Sequence, residues 1–240
     1  MPVLQSFKDG CISKLDFPSH QCIFGSTMIG KTFLATRIIN NIDRIYKRKM
    51  KTYYLIVLSP HENLEDAIKT RLDEKWIIIH FNVQTFSQHI IDRMITFLTQ
   101  KNLLGLEIVV LLDDLLIQAS LNSNMDLFIV KSFATLRHKN ISLIATVQNN
   151  SRILMQIIQN CSYFFVMQGF GDINMLTKVI RSFLGLIHVP SLLRKIFSLL
   201  QEDKKGSFIL LNLTYDANTN QAFTLSNSLF ENIGFTKKYH

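Results

Sequence analysis

The segment Gly25-Ser26-Thr27-Met28-Ile29-Gly30-Lys31-Thr32 fits the pattern G-x-x-x-x-G-K-[ST]. It uses two of the chain's nine glycines. Glycines at those positions let the backbone turn tightly, so that successive N–H groups point inward at phosphate oxygens. In that arrangement Lys31 reaches the β- and γ-phosphates and the Thr32 hydroxyl binds Mg²⁺. A second acidic group must complete such a site, and Glu107-Ile-Val-Val-Leu-Leu-Asp113-Asp114 supplies it at the end of an apolar run. Asp113 is expected to hold Mg²⁺ through water, and Asp114 to polarise the attacking water. Two acids in that place also serve to cap a following helix, here from Leu115 onward. A third element, Leu143-Ile-Ala-Thr-Val-Gln148, is an apolar run ending in an amide that could sense the γ-phosphate or the water.

These residues need a scaffold that brings them together. Short apolar runs, rich in Ile, Val, Tyr or Phe, occur at Gln21–Phe24, Tyr53–Leu58, Trp76–His80, Ile108–Leu112, Ile141–Val147 and Tyr163–Met167. Several lack in/out alternation, which marks strands covered on both faces. Between them lie helix candidates at Lys31–Lys47, Leu64–Leu72, Thr85–Gln100, Met125–Arg137, Arg152–Gln159 and Ile173–Phe183. This alternation predicts an α/β fold, a mostly parallel central sheet between helical layers. Ligands then sit beyond the carboxyl ends of the strands, where Gly25, Asp113 and Gln148 all fall. Pro190–Leu200 reads as a further helix. Gly206–Leu213 and Gln221–Leu225 flank turn chemistry, which predicts a C-terminal antiparallel hairpin on the sheet edge.

The 240 residues suit one domain, residues 1–240, and 48% hydrophobic content excludes a disordered chain. The formal net charge of +8 is compatible with a polyanionic partner. The three cysteines, Cys11, Cys22 and Cys161, form neither a disulfide framework nor a zinc spacing. The seven histidines show no metal-binding spacing and read as ordinary surface or core residues. No stretch offers the roughly 18 uninterrupted apolar residues of a membrane span. A soluble intracellular protein is expected.

The loop, the Asp-Asp pair after an apolar strand, and Arg137-His138 leading into Asn140-Ile-Ser-Leu-Ile-Ala-Thr-Val-Gln148 together resemble the FtsK–HerA superfamily. More narrowly they are similar to genome-packaging ATPases of poxvirus-like large DNA viruses, virophages and Polinton-type elements. Asn160-Cys-Ser-Tyr-Phe-Phe-Val-Met167 is similar to the strand that follows in those proteins, so the resemblance spans about residues 18–185. It implies a RecA-like P-loop core, binding ATP and Mg²⁺, that assembles as a homo-oligomeric ring and translocates double-stranded DNA into a capsid. A capsid or portal-vertex protein is then a possible partner. It further implies phosphate binding by Gly25 to Thr32, metal binding by Thr32 and Asp113, and catalysis by Lys31, Asp114 and Gln148. It also implies an arginine supplied by a neighbouring subunit. Arg137 is the first candidate, expected near the rim of the site because it precedes the strand ending in Gln148, and Arg152 is the second.

The chain departs from the family in two places. Many relatives carry Glu where Asp114 stands, and Met28 and Ile29 replace smaller loop residues. For DNA, Arg44, Lys47, Arg48, Lys49 and Lys51 form the densest basic cluster, equally readable as a solvated helix end. Lys178, Arg181, Arg194, Lys195, Lys204 and Lys205 form a second, diffuse set. Two other readings stand beside the motor: a nucleotide or nucleoside kinase, and a P-loop protein that uses nucleotide only as an assembly switch.

Overall fold

Runs of β-branched and aromatic residues dictate the centre of the molecule. In a computed structural model, described for residues 4–7, 18–40, 42, 53–82, 93–94, 96–100, 107–114, 123–148, 154–167, 174, 176–178, 193–194, 208–213, 223–226 and 236–239, they form one ten-stranded sheet. The strands are β1 (Leu4–Phe7), β2 (His20–Phe24), β3 (Tyr53–Ser59), β4 (Trp76–Asn82), β5 (Glu107–Leu112), β6 (Ile141–Val147), β7 (Tyr163–Met167), β8 (Phe208–Asn212), β9 (Phe223–Ser226) and β10 (Thr236–Tyr239). Their spatial order is β1-β10-β9-β8-β7-β2-β6-β5-β3-β4. The six strands from β7 to β4 pair in parallel, and the remaining pairings are antiparallel.

Continuous apolar runs mean burial on both faces, and β5 shows it residue by residue. Ile108, Val110 and Leu112 enter one core cluster; Val109 and Leu111 enter the other. The second cluster is closed by Leu34, Ala35, Ile38 and Ile39 of α1 (Lys31–Asn40) and by Ile68 of α2 (Leu64–Lys69). The first is closed by Phe128, Ile129 and Phe133 of α3 (Ser123–Thr135) and by Ile157 and Ile158 of α4 (Leu154–Gln159). The result is helix, sheet, helix, as the alternation predicts.

The expected strands agree with the observed ones to within two residues. The C-terminal hairpin is β8–β9, but it does not form the edge: β10 and β1 add two more antiparallel strands beyond it. The expected helix spans at 85–92, 179–183 and most of 190–200, and the outer parts of 31–47, lie outside the described residues. The basic cluster from Arg44 to Lys51 lies there too. Residues 93–94 and 96–100 are helical, and so are 174 and 176–178.

Candidate active site

The topology explains why distant motifs meet. β6 lies between β2, which carries the glycine loop, and β5, which carries the acids. All three run in parallel, so Gly25, Asp113 and Gln148 emerge on one edge of the sheet. Gly25 is held there by its N–H bond to the Val147 carbonyl at 3.1 Å. A Cβ at Gly25 would stand 2.7 Å from Cβ of Met167 and 3.0 Å from Cγ2 of Ile29, so the last residue of β7 requires this glycine. Gly30 turns the loop into α1 with φ of 101°, a conformation open to glycine. Met28 has a φ of 59° and its side chain is 90% exposed. A non-glycine residue there costs about 1–2 kcal/mol, so of the two larger residues in the loop it is Met28 that sits on strained backbone.

Lys31, at the start of α1, is 6% exposed, and its Nζ donates to the Ser26 carbonyl at 2.9 Å. Burial lowers the pKa of this ammonium, while the charges of Asp114 and Asp113 work the other way. Its Nζ stands 3.9 Å from Asp114 Oδ1. The lysine thus folds back onto its own loop, bonded to a backbone carbonyl that phosphate oxygens could replace.

Asp113 is the buried acid, 2% exposed, with its backbone N–H bonded to the Leu58 carbonyl of the neighbouring strand at 2.9 Å. Thr32 Oγ1 donates to its Oδ1 at 2.9 Å and lies 3.2 Å from its Oδ2, and Thr146 Oγ1 donates to Oδ1 at 2.8 Å. Burial raises the proton affinity of Asp113, against the lowering effect of the two hydroxyls. A hard cation would reverse that penalty, and a hydroxyl with a carboxylate is the oxygen donor set that suits Mg²⁺. Among the described residues no three His, Cys, Asp or Glu side chains converge to hold a metal alone.

Asp114 turns away from the strand with φ of 53°. Aspartate tolerates this left-handed backbone better than a longer side chain does. Its backbone N–H donates to Thr146 Oγ1 at 3.0 Å. Gln148 then ties the acid to the loop: its Nε2 donates to Asp114 Oδ1 at 3.1 Å, and its Oε1 accepts from Thr27 Oγ1 at 3.1 Å. A side-chain chain therefore runs from the phosphate loop through the amide to the second acid.

Two participants carry no motif. Thr146 sits in the buried strand β6 and bridges both acids. His61, after the end of β3, places Nε2 3.7 Å from Asp114 Oδ2. A hydroxyl near the end of an apolar strand, two positions before Gln148, offers a signal for Thr146; an isolated histidine in a polar turn offers none. Arg137 does not join the site. Its backbone lies in the 3₁₀ turn Leu136–Lys139 that precedes β6, so the seven-residue strand, roughly 20 Å, separates it from Gln148. The expectation of a position near the rim of its own site is corrected accordingly: in a parallel sheet a residue before a strand and one after it lie at opposite edges. Arg152 lies outside the described residues.

No family model and no curated protein matches the sequence. Solved structures do. The genome packaging NTPase B204 from Sulfolobus turreted icosahedral virus 2, in complex with ATP-gammaS, is similar with a TM-score of 0.56 and 10% identity, over 83% of this chain and 95% of that one. The cytoplasmic domain of the type VII secretion ATPase EccC from Thermomonospora curvata is similar with a TM-score of 0.53 and 12% identity, over 92% of this chain and 25% of that one. ATPases 2 and 3 of EssC from Geobacillus thermodenitrificans give a TM-score of 0.52 at 13% identity, over 98% of this chain and 44% of theirs. The chain has the α/β fold these NTPases share, with the glycine loop, the acid pair and Gln148 on one edge of its parallel sheet.

Proposed function

We propose that the chain is a Mg²⁺-dependent ATPase of the FtsK–HerA type that moves double-stranded DNA, as in filling a capsid with a viral or virus-like genome. The observation that carries the reading is the Thr27–Gln148–Asp114 chain beside the Thr32–Asp113 pair. It supplies a place for phosphates, a place for a metal, and a carboxylate linked to the loop that senses the phosphates. The likeness to a genome packaging NTPase over most of both chains supports it, as does the net charge of +8.

The geometry supports the following roles. The N–H groups of Gly25 to Thr32 bind the phosphates, and Lys31 Nζ exchanges the Ser26 carbonyl for β- and γ-oxygens. Thr32 and Asp113 would hold Mg²⁺, which when bound neutralises charge on those oxygens. Asp114 accepts a proton from the attacking water, and Gln148, already on Oδ1, orients that carboxylate. The open side of the site lacks a cation among the described residues; an arginine from a neighbouring subunit in a ring would supply one, worth about a thousand-fold or more. Arg137 remains the first candidate for that role in trans only.

The likeness to secretion ATPases favours a second reading, a motor of the same fold that moves polypeptide. ATPase measurements with and without long double-stranded DNA separate the two. Stimulation severalfold by DNA is expected; turnover indifferent to DNA of any length rejects the DNA motor and leaves the second reading. No helix among the described residues is long and apolar enough to cross a membrane.

A further inference from the structure

We propose that His61 is a positioning residue for Asp114, fixing the plane of the carboxylate that activates water; this rests on the ATPase reading above. Asp114 has one firm side-chain donor, Gln148 Nε2, on Oδ1. The terminal torsion of an aspartate is broad, so a single donor leaves the carboxylate free to rotate about its axis. The only described group facing the other oxygen at ion-pair range is the His61 imidazole, with Nε2 3.7 Å from Oδ2. Either the neutral tautomer protonated at Nε2 or the imidazolium donates from that nitrogen. Nε2 has to close from 3.7 Å to hydrogen-bond length, and a ring that is 60% exposed is not locked in place by burial. Held at both oxygens, the carboxylate keeps two of its roughly four acceptor sites for the water.

The ring is not there by the chance of a loose loop. The His61 N–H donates to Ser59 Oγ at 3.1 Å, and Ser59, the last residue of β3, is fully buried. β3 is in turn fastened to the acid pair, with Leu58 opposite Leu112 and the Asp113 N–H on the Leu58 carbonyl. The histidine and the carboxylate therefore hang from adjacent, bonded strand ends. The need is plain from Asp114 itself: its short arm leaves a left-handed backbone, and small errors in aim cost rate steeply.

The test is steady-state ATPase of the full chain. In His61→Ala, kcat should fall about tenfold while KM for ATP stays within about twofold, because the lost bond is to a charged group and touches no nucleotide. His61→Gln, which keeps a donor, should recover most of the rate. In an Asp114→Asn background, His61→Ala should add less than about a twofold loss. Unchanged kcat, a loss confined to KM, or an equal loss in both backgrounds overturns the proposal. Absence of ATP hydrolysis by the native chain would instead reject the ATPase reading. A measurement free of turnover decides the contact itself: Asp114→Asn should displace the His61 imidazole NMR signals more than those of the other histidines, and an indifferent His61 signal overturns the contact.

Discussion

Where the parallel strands begin, Ser19, His20, Gln21, Ser142 and Ser162 are buried; where they end, Ser59, Asp113, Thr146 and Lys31 are. The two edges bury comparable numbers of polar side chains, and the difference lies in what those groups do with their bonding capacity. At the first edge, one bond joins neighbouring strands, one ties a strand to its own lead-in, and one reaches a helix. The Ser19 N–H bonds Ser142 Oγ at 3.2 Å, Gln21 Nε2 donates to Ser19 Oγ at 2.9 Å, and His20 Nδ1 lies 2.8 Å from the Phe133 carbonyl of α3. At the second edge, two carboxylates and an ammonium converge, with three left-handed residues, Met28, Gly30 and Asp114, beside them, against Asn140 alone before β6 at the first edge. Net charge held in low dielectric with strained backbone is what stability alone would not select. Buried polarity by itself is thus a poor marker of function; converging charge is a better one.

The largest way to break that contrast is at Lys31. Replacing it with alanine should lower kcat about 100- to 1,000-fold, because the loop N–H groups that remain carry no full positive charge to balance the β- and γ-oxygens. Native turnover by Lys31→Ala would remove the phosphate-loop assignment. Asp114→Asn comes next. It should bind ATP normally and hydrolyse it about 100-fold more slowly, because the amide keeps the left-handed backbone and the shape but accepts no proton. Loss of nucleotide binding in this variant would show that the two acids do not divide metal and water between them.

The opposite edge should answer in stability and not in rate. His20 is fully buried, bonded to Phe133 O, and packed edge-to-face on the Phe133 ring with centroids 5.5 Å apart. His20→Ala leaves a cavity and an unpaired carbonyl, costing about 2 kcal/mol or more, which is roughly 4–8 °C of melting temperature for a chain of this size. The fraction that remains folded should keep its kcat. A large fall in kcat with little change in melting would make the first edge part of the active machinery.

How far these edges could be read from the sequence differs in the same way. The parallel strands were legible because continuous apolar runs such as Ile108–Leu112 have few other uses, and the loop, Asp113, Asp114 and Gln148 follow from where those runs end. The strands β1 and β10 were not, because Leu-Gln-Ser-Phe and Thr-Lys-Lys-Tyr are short, form no continuous apolar run, and pair with each other from opposite ends of the sequence. His61 was not legible either, since its contact with Asp114 exists only once β3 and β5 are neighbours. Arg137 could have been placed correctly: a residue before a parallel strand cannot share an edge with the residue that follows it.

The smallest effect is the most specific, and it concerns Asp113. Burial raises its pKa, with Asp114 nearby acting in the same direction and the Thr146 and Thr32 hydroxyls opposing. A carboxyl whose value is raised on folding binds its proton more tightly in the folded state than in the unfolded chain. Its contribution to stability is then fully present below the ordinary carboxylate range and is lost as the pH rises through the raised value. Asparagine cannot ionise, and its Oδ1 can still accept from Thr146 and Thr32. Lys31 keeps Asp114 as a partner, so removing one charge does not strand it. In the absence of nucleotide, Asp113→Asn should therefore melt close to the native chain near about pH 4 and a few degrees above it near about pH 8. With Mg²⁺ and ATP the order should reverse, because only the native carboxylate gains a cation to offset its burial. Calorimetry at the two pH values, with and without Mg²⁺ and ATP, checks both signs. A variant less stable than the native chain at pH about 8 without ligand would mean that the hydroxyls, and not desolvation, govern this buried acid.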